Sequence, residues 1–536
     1  MKKPDDDLIE KKFQEIEAST KSEASTPPER ANNRAATDVA SEVAEAVIAT
    51  GVTLFRDQYN DAYIAVDGNG TNVIKIPSKN VKLWLARFIH MRCKKSVSTE
   101  TMNRILQDLA GRALFDGEQY PLEVRSVRDA DGLWYDLGGS AVHITDNHWE
   151  VTDKPPIVFK RFRHQKPQVL PQHGGDLRQL LKYINLPDER EQLLFLVYVV
   201  AAFIPGFPHP LLILHGAQGA GKTTPMKLIK ELADPSVLGG LSTPKNEEAF
   251  IQTASHHSFL FFDNLSRMPE WFSDALARAS TGDSFSKREL YSDDEDVLYY
   301  IQKTIALNGI SQVVHKPDLL DRAILVSLKR ITPEKRKEAQ VFWAEFEQDR
   351  PKILGAIFDV LASALPLYPT VELPSRPRMA DFMRWGCIIA EAAGFSRTSF
   401  FDAYNDNISL QHDEAIESNP VAMAIMELMQ THEEYADTPA NVYGALRTIA
   451  TKLEINQGKA WPKDASWFGR SLISIAPNLD AKGIHIEHTR GKERLITIRK
   501  FAVAAVDTDA SDSIPTEIIR QHDGIDGKNP RLNNET

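Results

Sequence analysis

A short apolar run that leads into a glycine-rich loop constrains the fold more than any other stretch of the chain. Residues 211–214 are Leu-Leu-Ile-Leu, and residues 216–223 read Gly-Ala-Gln-Gly-Ala-Gly-Lys-Thr. The spacing Gly-x-x-x-x-Gly-Lys-Thr is typical of a P-loop, in which successive backbone N–H groups and a helix N-terminus surround phosphate oxygens. The residues after the loop have apolar side chains at helical spacing, at Met226, Leu228, Ile229 and Leu232. The stretch therefore predicts a buried strand, a tight turn and the start of a helix.

The same loop predicts a binding site for ATP and Mg²⁺. Lys222 would reach the β- and γ-phosphates, and the Thr223 hydroxyl would bind the metal ion. Pro225 is compatible with this helix, because the first helical turn has no use for its missing N–H. We assign the nucleotide contacts to the whole loop and the first helical residues, which are Gly216, Ala217, Gln218, Gly219, Ala220, Gly221, Lys222, Thr223 and Thr224.

Length and composition exclude several classes of protein. A chain of 536 residues predicts about three or four domains. The net charge of −11 excludes a simple polycation that coats nucleic acid, so any DNA contact should be local. The two cysteines, Cys93 and Cys387, are far apart in sequence, which argues against a disulfide framework or a zinc ribbon. The longest apolar run, 193–204, is too short to span a bilayer. We therefore expect a cytoplasmic protein without a membrane partner.

The pattern of apolar periodicity, turns and polar tracts predicts seven segments. In order they are a disordered tail (1–40), an N-terminal α/β domain (41–170), a helical lead-in (171–204), an α/β P-loop core with a parallel sheet flanked by helices (205–330), a helical lid or linker (331–417), a winged-helix domain (418–502) and a second disordered tail (503–536). Apolar residues at helical spacing predict helices in the lid segment, including 336–350, 352–365 and 379–393. A mere connecting bundle remains an alternative to a lid.

Two basic stretches outside the core are candidates for DNA contact. Residues 160–166, Lys-Arg-Phe-Arg-His-Gln-Lys, could grip a phosphate backbone or form a solvated linker. The last domain reads as three helices closed by a β-hairpin, which is a winged-helix pattern. Its wing carries Arg490, Lys492 and Arg494. Winged helices bind DNA or other proteins, and both roles stay open here.

Polar residues end the other apolar strands of the core. Residues 258–262 lead into Asp263, which in a parallel sheet would lie at the carboxyl edge and bind Mg²⁺. Asn264 follows, where a base would be expected, and an amide can orient water without taking its proton. Asn308 ends a third strand and could contact the γ-phosphate or the attacking water. Arg322 precedes a fourth strand and is a candidate arginine finger, with a salt bridge to Asp318 or Asp321 as the alternative.

A hairpin is predicted between the second and third of these strands. Its two β-favouring arms flank the tip Ser292-Asp-Asp-Glu-Asp296. The carboxylates of the tip would repel phosphates. If the hairpin contacts DNA, either Lys287 and Arg288 of the stem make that contact or the tip points elsewhere.

The order of these motifs resembles the superfamily 3 helicase ATPases of the AAA+ class, in particular the primase-helicase ATPases of phages, poxviruses and integrated mobile elements. The resemblance covers about residues 190–335. It implies a homo-hexameric ring with ATP between subunits, so that Arg322 would act on the neighbour's nucleotide. It also implies that the 284–301 hairpin lines a central pore and touches single-stranded DNA.

The sequence thus favours an ATP-driven DNA helicase or translocase that serves replication of a phage, plasmid or integrated element. The alternative is a DNA-binding AAA+ switch or loader with slow hydrolysis and no processive unwinding. A small-molecule kinase is disfavoured, because it has no use for a hairpin, a distal arginine and a winged helix. We find no primase site in the sequence, so a separate primase or other replication partner is left open.

Overall fold

The computed structural model describes residues 39–66, 72–94, 96–217, 219–265, 268–288, 296–309, 317–373, 377–455, 461–489 and 494–501. Within these ranges the protein is mixed α/β, with a four-stranded parallel sheet at its centre. Nearly all of the two predicted tails lies outside the described residues. The domain boundaries set out above stay predictions.

The strands are β1 (Thr53–Arg56), β2 (Ala62–Ala65), β3 (Val73–Ile76), β4 (Glu118–Gln119), β5 (Ser126–Arg128), β6 (Leu133–Asp136), β7 (Ala141–Thr145), β8 (His148–Thr152), β9 (Leu211–Gly216), β10 (Phe259–Leu265), β11 (Asp283–Arg288), β12 (Asp296–Ile301), β13 (Thr304–Gly309), β14 (Ala323–Leu328), β15 (Glu434–Asp437), β16 (Ile484–Thr489) and β17 (Leu495–Lys500). The α-helices are α1 (39–48), α2 (Lys79–Cys93), α3 (Thr99–Phe115), α4 (Glu189–Ala201), α5 (Thr223–Ala233), α6 (Glu247–His256), α7 (Glu270–Thr281), α8 (Pro317–Leu320), α9 (Ala339–Ala364), α10 (Ala380–Ala392), α11 (Arg397–Glu417), α12 (Pro420–Thr431), α13 (Pro439–Lys452) and α14 (Ala465–Ala481).

Two small sheets precede the central one. The first has the strand order β3-β2-β1-β4, and its apolar face packs against α1, α2 and α3. Serines cap two of these helices, since Ser78 Oγ accepts from Val81 N and Ser98 Oγ accepts from Thr101 N. The second sheet is the antiparallel meander β5-β6-β7-β8. Its residues share a core with α4, α9 and α10, so the apolar core does not divide at residue 170.

The central sheet has the order β10-β13-β9-β14, with every pair parallel. Alternate residues of each strand enter two different cores. Leu212 and Leu214 of β9 face one core with α4, α5, α9 and α10, whereas Leu211 and Ile213 face another with α6, α7 and the C-terminal helices. Burial on both faces explains why these strands are continuous apolar runs in the sequence.

Helix α9 corrects the sequence prediction that separate helices flank Pro351. The helix continues through Pro351, although proline removes one helical N–H. The segment before α4 crosses α9 at this point, and Gln172 N donates to the Pro351 carbonyl oxygen at 2.9 Å. Within the described part of the chain, Ala339–Thr370 is the one helical stretch long and apolar enough to cross a membrane. Its residues Ile353, Leu354, Ile357 and Phe358 are buried in the protein core.

The C-terminal unit packs against the second core of the central sheet. It has three helices, α12, α13 and α14, and a sheet with the order β15-β17-β16. Strand β15 was not predicted, because Glu434-Tyr-Ala-Asp437 is short and contains no β-branched residue. It pairs antiparallel with β17, as does β16.

Candidate functional site

The glycine-rich loop leaves β9 at the carboxyl edge of the central sheet and enters α5. Gly216 has a φ of 150° and Gly221 a φ of 73°, a region that favours glycine. A Cβ on Gly216 would also lie 2.7 Å from the carbonyl oxygen of Leu328. Backbone conformation and close packing therefore both require glycine at Gly216.

The end of the loop exposes groups suited to an anion. Helix α5 begins without a side-chain cap, so its first backbone N–H groups have no side-chain acceptor. Lys222 Nζ donates to the Gly216 carbonyl oxygen at 2.8 Å, which holds the ammonium group beside the loop. Gln218 lies outside the described residues.

Thr223 and Asp263 meet at the same edge of the sheet. Thr223 Oγ1 donates to Asp263 Oδ1 at 3.1 Å. A hydroxyl and a carboxylate are hard oxygen ligands, and this donor set fits Mg²⁺, which protein sites usually hold through one or two carboxylates plus phosphates and water. Among the described residues, no group of three or more His, Cys, Asp or Glu side chains could hold a metal ion. A magnesium ion at this edge would therefore depend on phosphate and water for most of its ligands.

Asn264 and Asn308 lie next to this pair. The Asn308 side chain is buried, and its Oδ1 accepts from the backbone N of Asn264 at 2.8 Å. Asn308 Nδ2 is also buried and has no hydrogen-bond partner among the described residues. Asn264 has a φ of 57° and an exposed side chain. The site thus offers one unused buried amide donor and one accessible amide.

Arg322 lies at the opposite edge of the sheet. Its carbonyl oxygen accepts from Leu211 N, at the amino end of β9. A strand of six residues separates the two edges by roughly 17 Å at about 3.3 Å per residue. Arg322 Nη1 donates to Ala277 O and Thr281 Oγ1, at 3.2 and 3.1 Å, and Nη2 lies 3.4 Å from Asp318 Oδ1. Arg322 therefore cannot reach the glycine-rich loop of its own chain.

The sequence offered a salt bridge of Arg322 with Asp318 or Asp321 as the alternative to an arginine finger, and the structure contains one of these two pairs. Arg322 pairs with Asp318, whereas Asp321 accepts from Arg378. The Arg322 Nε atom is buried without a hydrogen-bond partner within the described chain.

Two residues near the loop were missed by the sequence analysis. Arg336 Nη2 lies 3.7 Å from the position that a Cβ would take on Gly219, and Ile331 Cδ1 lies 3.0 Å from the corresponding position on Gly221. Both belong to the segment between β14 and α9, which has no motif. The only available signal was that this segment leaves β14, the strand beside β9, at the carboxyl edge of a parallel sheet.

The predicted DNA contacts are only partly described. Lys287 and Arg288 lie on β11, paired with Val297 and Asp296 of β12. Their side chains and the tip residues 292–295 lie outside the described residues. Arg490 and Lys492 lie outside them too. Arg494 is exposed just before β17.

Several basic side chains of the stretch 160–166 form ion pairs or hydrogen bonds within the protein. Arg161 makes a bidentate pair with the buried Asp136, at 2.6 and 2.8 Å. Lys166 Nζ donates to Glu231 at 2.8 Å, and Lys160 Nζ donates to the Tyr63 hydroxyl at 2.9 Å. Its role as a solvated linker is wrong, because these side chains fasten the segment to the second sheet, α5 and the first sheet.

Comparisons with known proteins give a consistent family. A model of the actinomycete integrative conjugative element replication protein matches residues 177–412, a range that includes the loop, Asp263, Asn308 and Arg322. A model of the C-terminal domain of the same family matches residues 421–511. No curated protein matches the chain.

Solved structures give weak likenesses only. The apo structure of the NrS-1 C-terminal region is 10% identical with a TM-score of 0.39, covering 86% of this chain and 99% of that one. A JCV helicase with a bound small molecule is 13% identical with a TM-score of 0.20, covering 41% of this chain and 66% of that one. These TM-scores are too low to support any conclusion.

The two family models together match more than half of the 536 residues. The chain therefore belongs to the family of actinomycete integrative conjugative element replication proteins.

Proposed function

We propose that this replication protein is an ATP-driven DNA helicase or translocase with an AAA+ P-loop core. The observation that carries the proposal is the meeting of the glycine-rich loop, the Thr223–Asp263 pair and the unpartnered amide of Asn308 at one edge of a parallel sheet. In open α/β sheets, ligands bind at the carboxyl ends of the strands.

The loop and α5 would bind the triphosphate. The uncapped N–H groups at the start of α5 and the positive end of its dipole face the anion. Lys222 Nζ would exchange the Gly216 carbonyl oxygen for phosphate oxygens. Arg336, beside Gly219, would add a second positive charge near the phosphates.

Thr223 and Asp263 would hold Mg²⁺, which neutralises charge on the β- and γ-phosphates when bound. The Asn308 amide would donate to the γ-phosphate or to the attacking water. Asn264 would orient that water without accepting its proton, so we expect slow intrinsic hydrolysis.

Arg322 would complete the site of a neighbouring copy. Its place at the far edge of its own sheet supports action in trans, since charge neutralisation of a transferred phosphoryl requires direct contact. This arrangement favours a closed ring, and we propose a homo-hexamer with ATP between subunits.

Single-stranded DNA would pass the β11–β12 hairpin, while the C-terminal unit, with its three helices and its sheet, would act as a winged helix on duplex DNA. A separate primase would be a partner in replication. We place this activity in the cytoplasm, without a membrane partner.

A second candidate is a DNA-binding switch or loader with the same nucleotide site. Asn264 favours it, because an amide at this position removes the general base. In this version the nucleotide controls assembly with partners, and the protein does not unwind DNA processively.

Binding of a fluorescent ATP analogue tests the nucleotide site directly. We expect Lys222→Ala to weaken binding by at least about tenfold, the effect of losing a charge-assisted hydrogen bond to phosphate. Lys227→Ala is the matched control, because Lys227 is an exposed lysine on the same helix. Equal affinities of wild type and Lys222→Ala would overturn the proposed site.

A further inference from the structure

A second cavity lies away from the glycine-rich loop, between the first sheet and the central core. Its volume is about 930 Å³, at the upper end of the range typical of ligand sites. Its walls come from separate parts of the chain: residues 58–63, Lys75 of β3, the segments 121–129, 160–162 and 205–206, helix α6, and residues 299–303 at the base of the hairpin. None of the described residues between 216 and 224 lines it.

Aromatic rings line much of this cleft. Phe162 and His256 stack with their ring centroids 4.1 Å apart, and Tyr63 also lines the cleft. Tyr59 and Tyr299 of the lining have ring centroids 6.3 Å apart, and Tyr300 is 56% exposed. Exposed and stacked rings at a cleft are the usual platform for unpaired bases.

Lysines supply positive charge among the rings. Lys75 is neutralised by Asp61 at 2.5 Å. Lys160 Nζ donates to the Tyr63 hydroxyl and lies 5.4 and 5.9 Å from the ring centroids of Tyr63 and Phe162. The Lys303 ammonium makes no hydrogen bond or ion pair with any described residue. Glu123 faces both of these lysines without forming an ion pair. Burial lowers the pKa of Lys160 and of Lys303, and burial raises the pKa of Glu123. Asp57 and Asp61 also attract Lys160, and Asp234 attracts Lys303, but within the described chain neither ammonium group forms an ion pair with a carboxylate. An anion entering the cleft would therefore meet two ammonium groups that are not held in ion pairs.

The cleft is joined to the hairpin. The Tyr59 hydroxyl donates to Tyr300 O at 3.4 Å and accepts from Tyr300 N at 3.2 Å. This contact ties the first sheet to β12, whose tyrosines line the cleft. A strand held at the hairpin could thus continue into the cleft.

We propose that this cleft binds a segment of single-stranded DNA, with bases against the aromatic rings and phosphates on Lys160 and Lys303. The proposal deepens the proposed function and rests on it only in taking DNA as the substrate. A free nucleotide has the same chemistry of ring and phosphate, so the test must separate it from a strand.

The test is fluorescence anisotropy of a labelled oligothymidine with the full chain, without ATP. We expect Lys303→Gln to weaken binding about tenfold, as loss of a charge-assisted contact should. The slope of log affinity against log salt should also fall by about 0.7, the value for one phosphate contact on a single strand. Lys154→Gln is the control, since Lys154 is exposed and lies outside the cleft. Unchanged affinity and slope in Lys303→Gln would overturn the proposal.

A second variant guards against a folding defect in the first. Tyr300→Ser removes an exposed ring and should weaken binding about tenfold through lost stacking, with no change in salt slope. If Tyr300→Ser binds like wild type, the aromatic platform is wrong. Competition by thymidine monophosphate as strong as that by the unlabelled oligonucleotide would show a nucleotide pocket and overturn strand binding.

The nucleotide site can fail independently of the cleft. Strand binding should persist in Lys222→Ala, because that lysine does not line the cleft. A wild-type affinity for ATP in Lys222→Ala would contradict the proposed ATP site and leave the cleft result standing. Wild-type protein that binds no oligothymidine at low salt would overturn the cleft proposal.

Discussion

At the residue scale, Asn264 combines a chemical and a conformational role. Its φ of 57° lies in the left-handed region, which asparagine tolerates better than glutamate. Asn264→Glu should supply a general base and raise ATP turnover. The same change should lower the free energy of unfolding by about 1 kcal/mol through backbone strain.

Turnover assays and urea denaturation of Asn264→Glu and Asn264→Gly check this prediction. The glycine variant relieves the backbone without adding a base, so its turnover should not rise. A lower turnover in Asn264→Glu than in wild type would count against the proposed water-orienting role.

His209 makes stability depend on pH. The side chain is buried, with Nδ1 2.9 Å from Phe207 O and Nε2 3.0 Å from Ala201 O. Burial lowers the pKa of His209 from 6.5 to about 4. Between these values the unfolded chain binds more protons than the folded chain, so the free energy of unfolding falls as the pH falls.

The expected loss from His209 is about 2 kcal/mol between pH 7 and pH 5. Urea unfolding at both pH values should show a smaller pH effect for His209→Gln than for wild type. His148→Gln is the control, because His148 is exposed. An identical pH effect in wild type and His209→Gln would refute the assignment.

At the scale of elements, a close crossing fixes α9. A Cβ on Gly355 would lie 1.8 Å from the carbonyl oxygen of Gln172. Gly355→Ala should therefore lower the free energy of unfolding by about 2–3 kcal/mol, as overpacking does. Gly111 on α3 is a helical glycine with open space around it, so Gly111→Ala should raise stability by about 0.5–1 kcal/mol. Thermal unfolding of both variants measures these changes in stability. Equal changes in the two variants would contradict a close contact between α9 and the Gln172 segment.

The strands and helices differ in how far the local sequence predicts them. The strands of the central sheet were predictable, because burial on both faces leaves apolar runs such as 211–214 and 258–262. The helix through Pro351 was not, because the segment around Gln172 that packs across it is remote in sequence. Strand β15 was missed for a similar reason, since pairing with β17 determines it more than its own residues do.

The candidate site also combines residues that the local sequence predicts with residues that it does not. Loop residues, Asp263 and Asn308 carry local signals, namely a motif and polar strand ends. Arg336 has no such signal, and its position depends on how the chain turns after β14. The cleft around Lys303 combines residues from several separate parts of the chain, which no local pattern could have brought together.

At the scale of the whole molecule, buried charges tie the second sheet to the helix that follows the glycine-rich loop. Arg125 Nε lies 3.4 Å from Asp234 Oδ1, and Lys230 Nζ lies 2.7 Å from Asp234 Oδ2, with all three side chains buried. Removal of one partner would leave an uncompensated charge, so this cluster strongly favours one packing of the two units. The second sheet and the helix of the nucleotide site are thus held together by buried charges.

If the site is divided between two copies, strand displacement on forked DNA should require an intact loop and an intact arginine at the same interface. Wild type should unwind the fork with ATP and Mg²⁺, whereas Lys222→Ala and Arg322→Ala should each fail. An equal mixture of the two variants should recover activity, because roughly a quarter of randomly assorted interfaces would pair an intact loop with an intact arginine. Absence of unwinding by wild type, with nucleotide-dependent DNA binding intact, would contradict the helicase claim, and a mixture as inactive as its components would contradict the shared site.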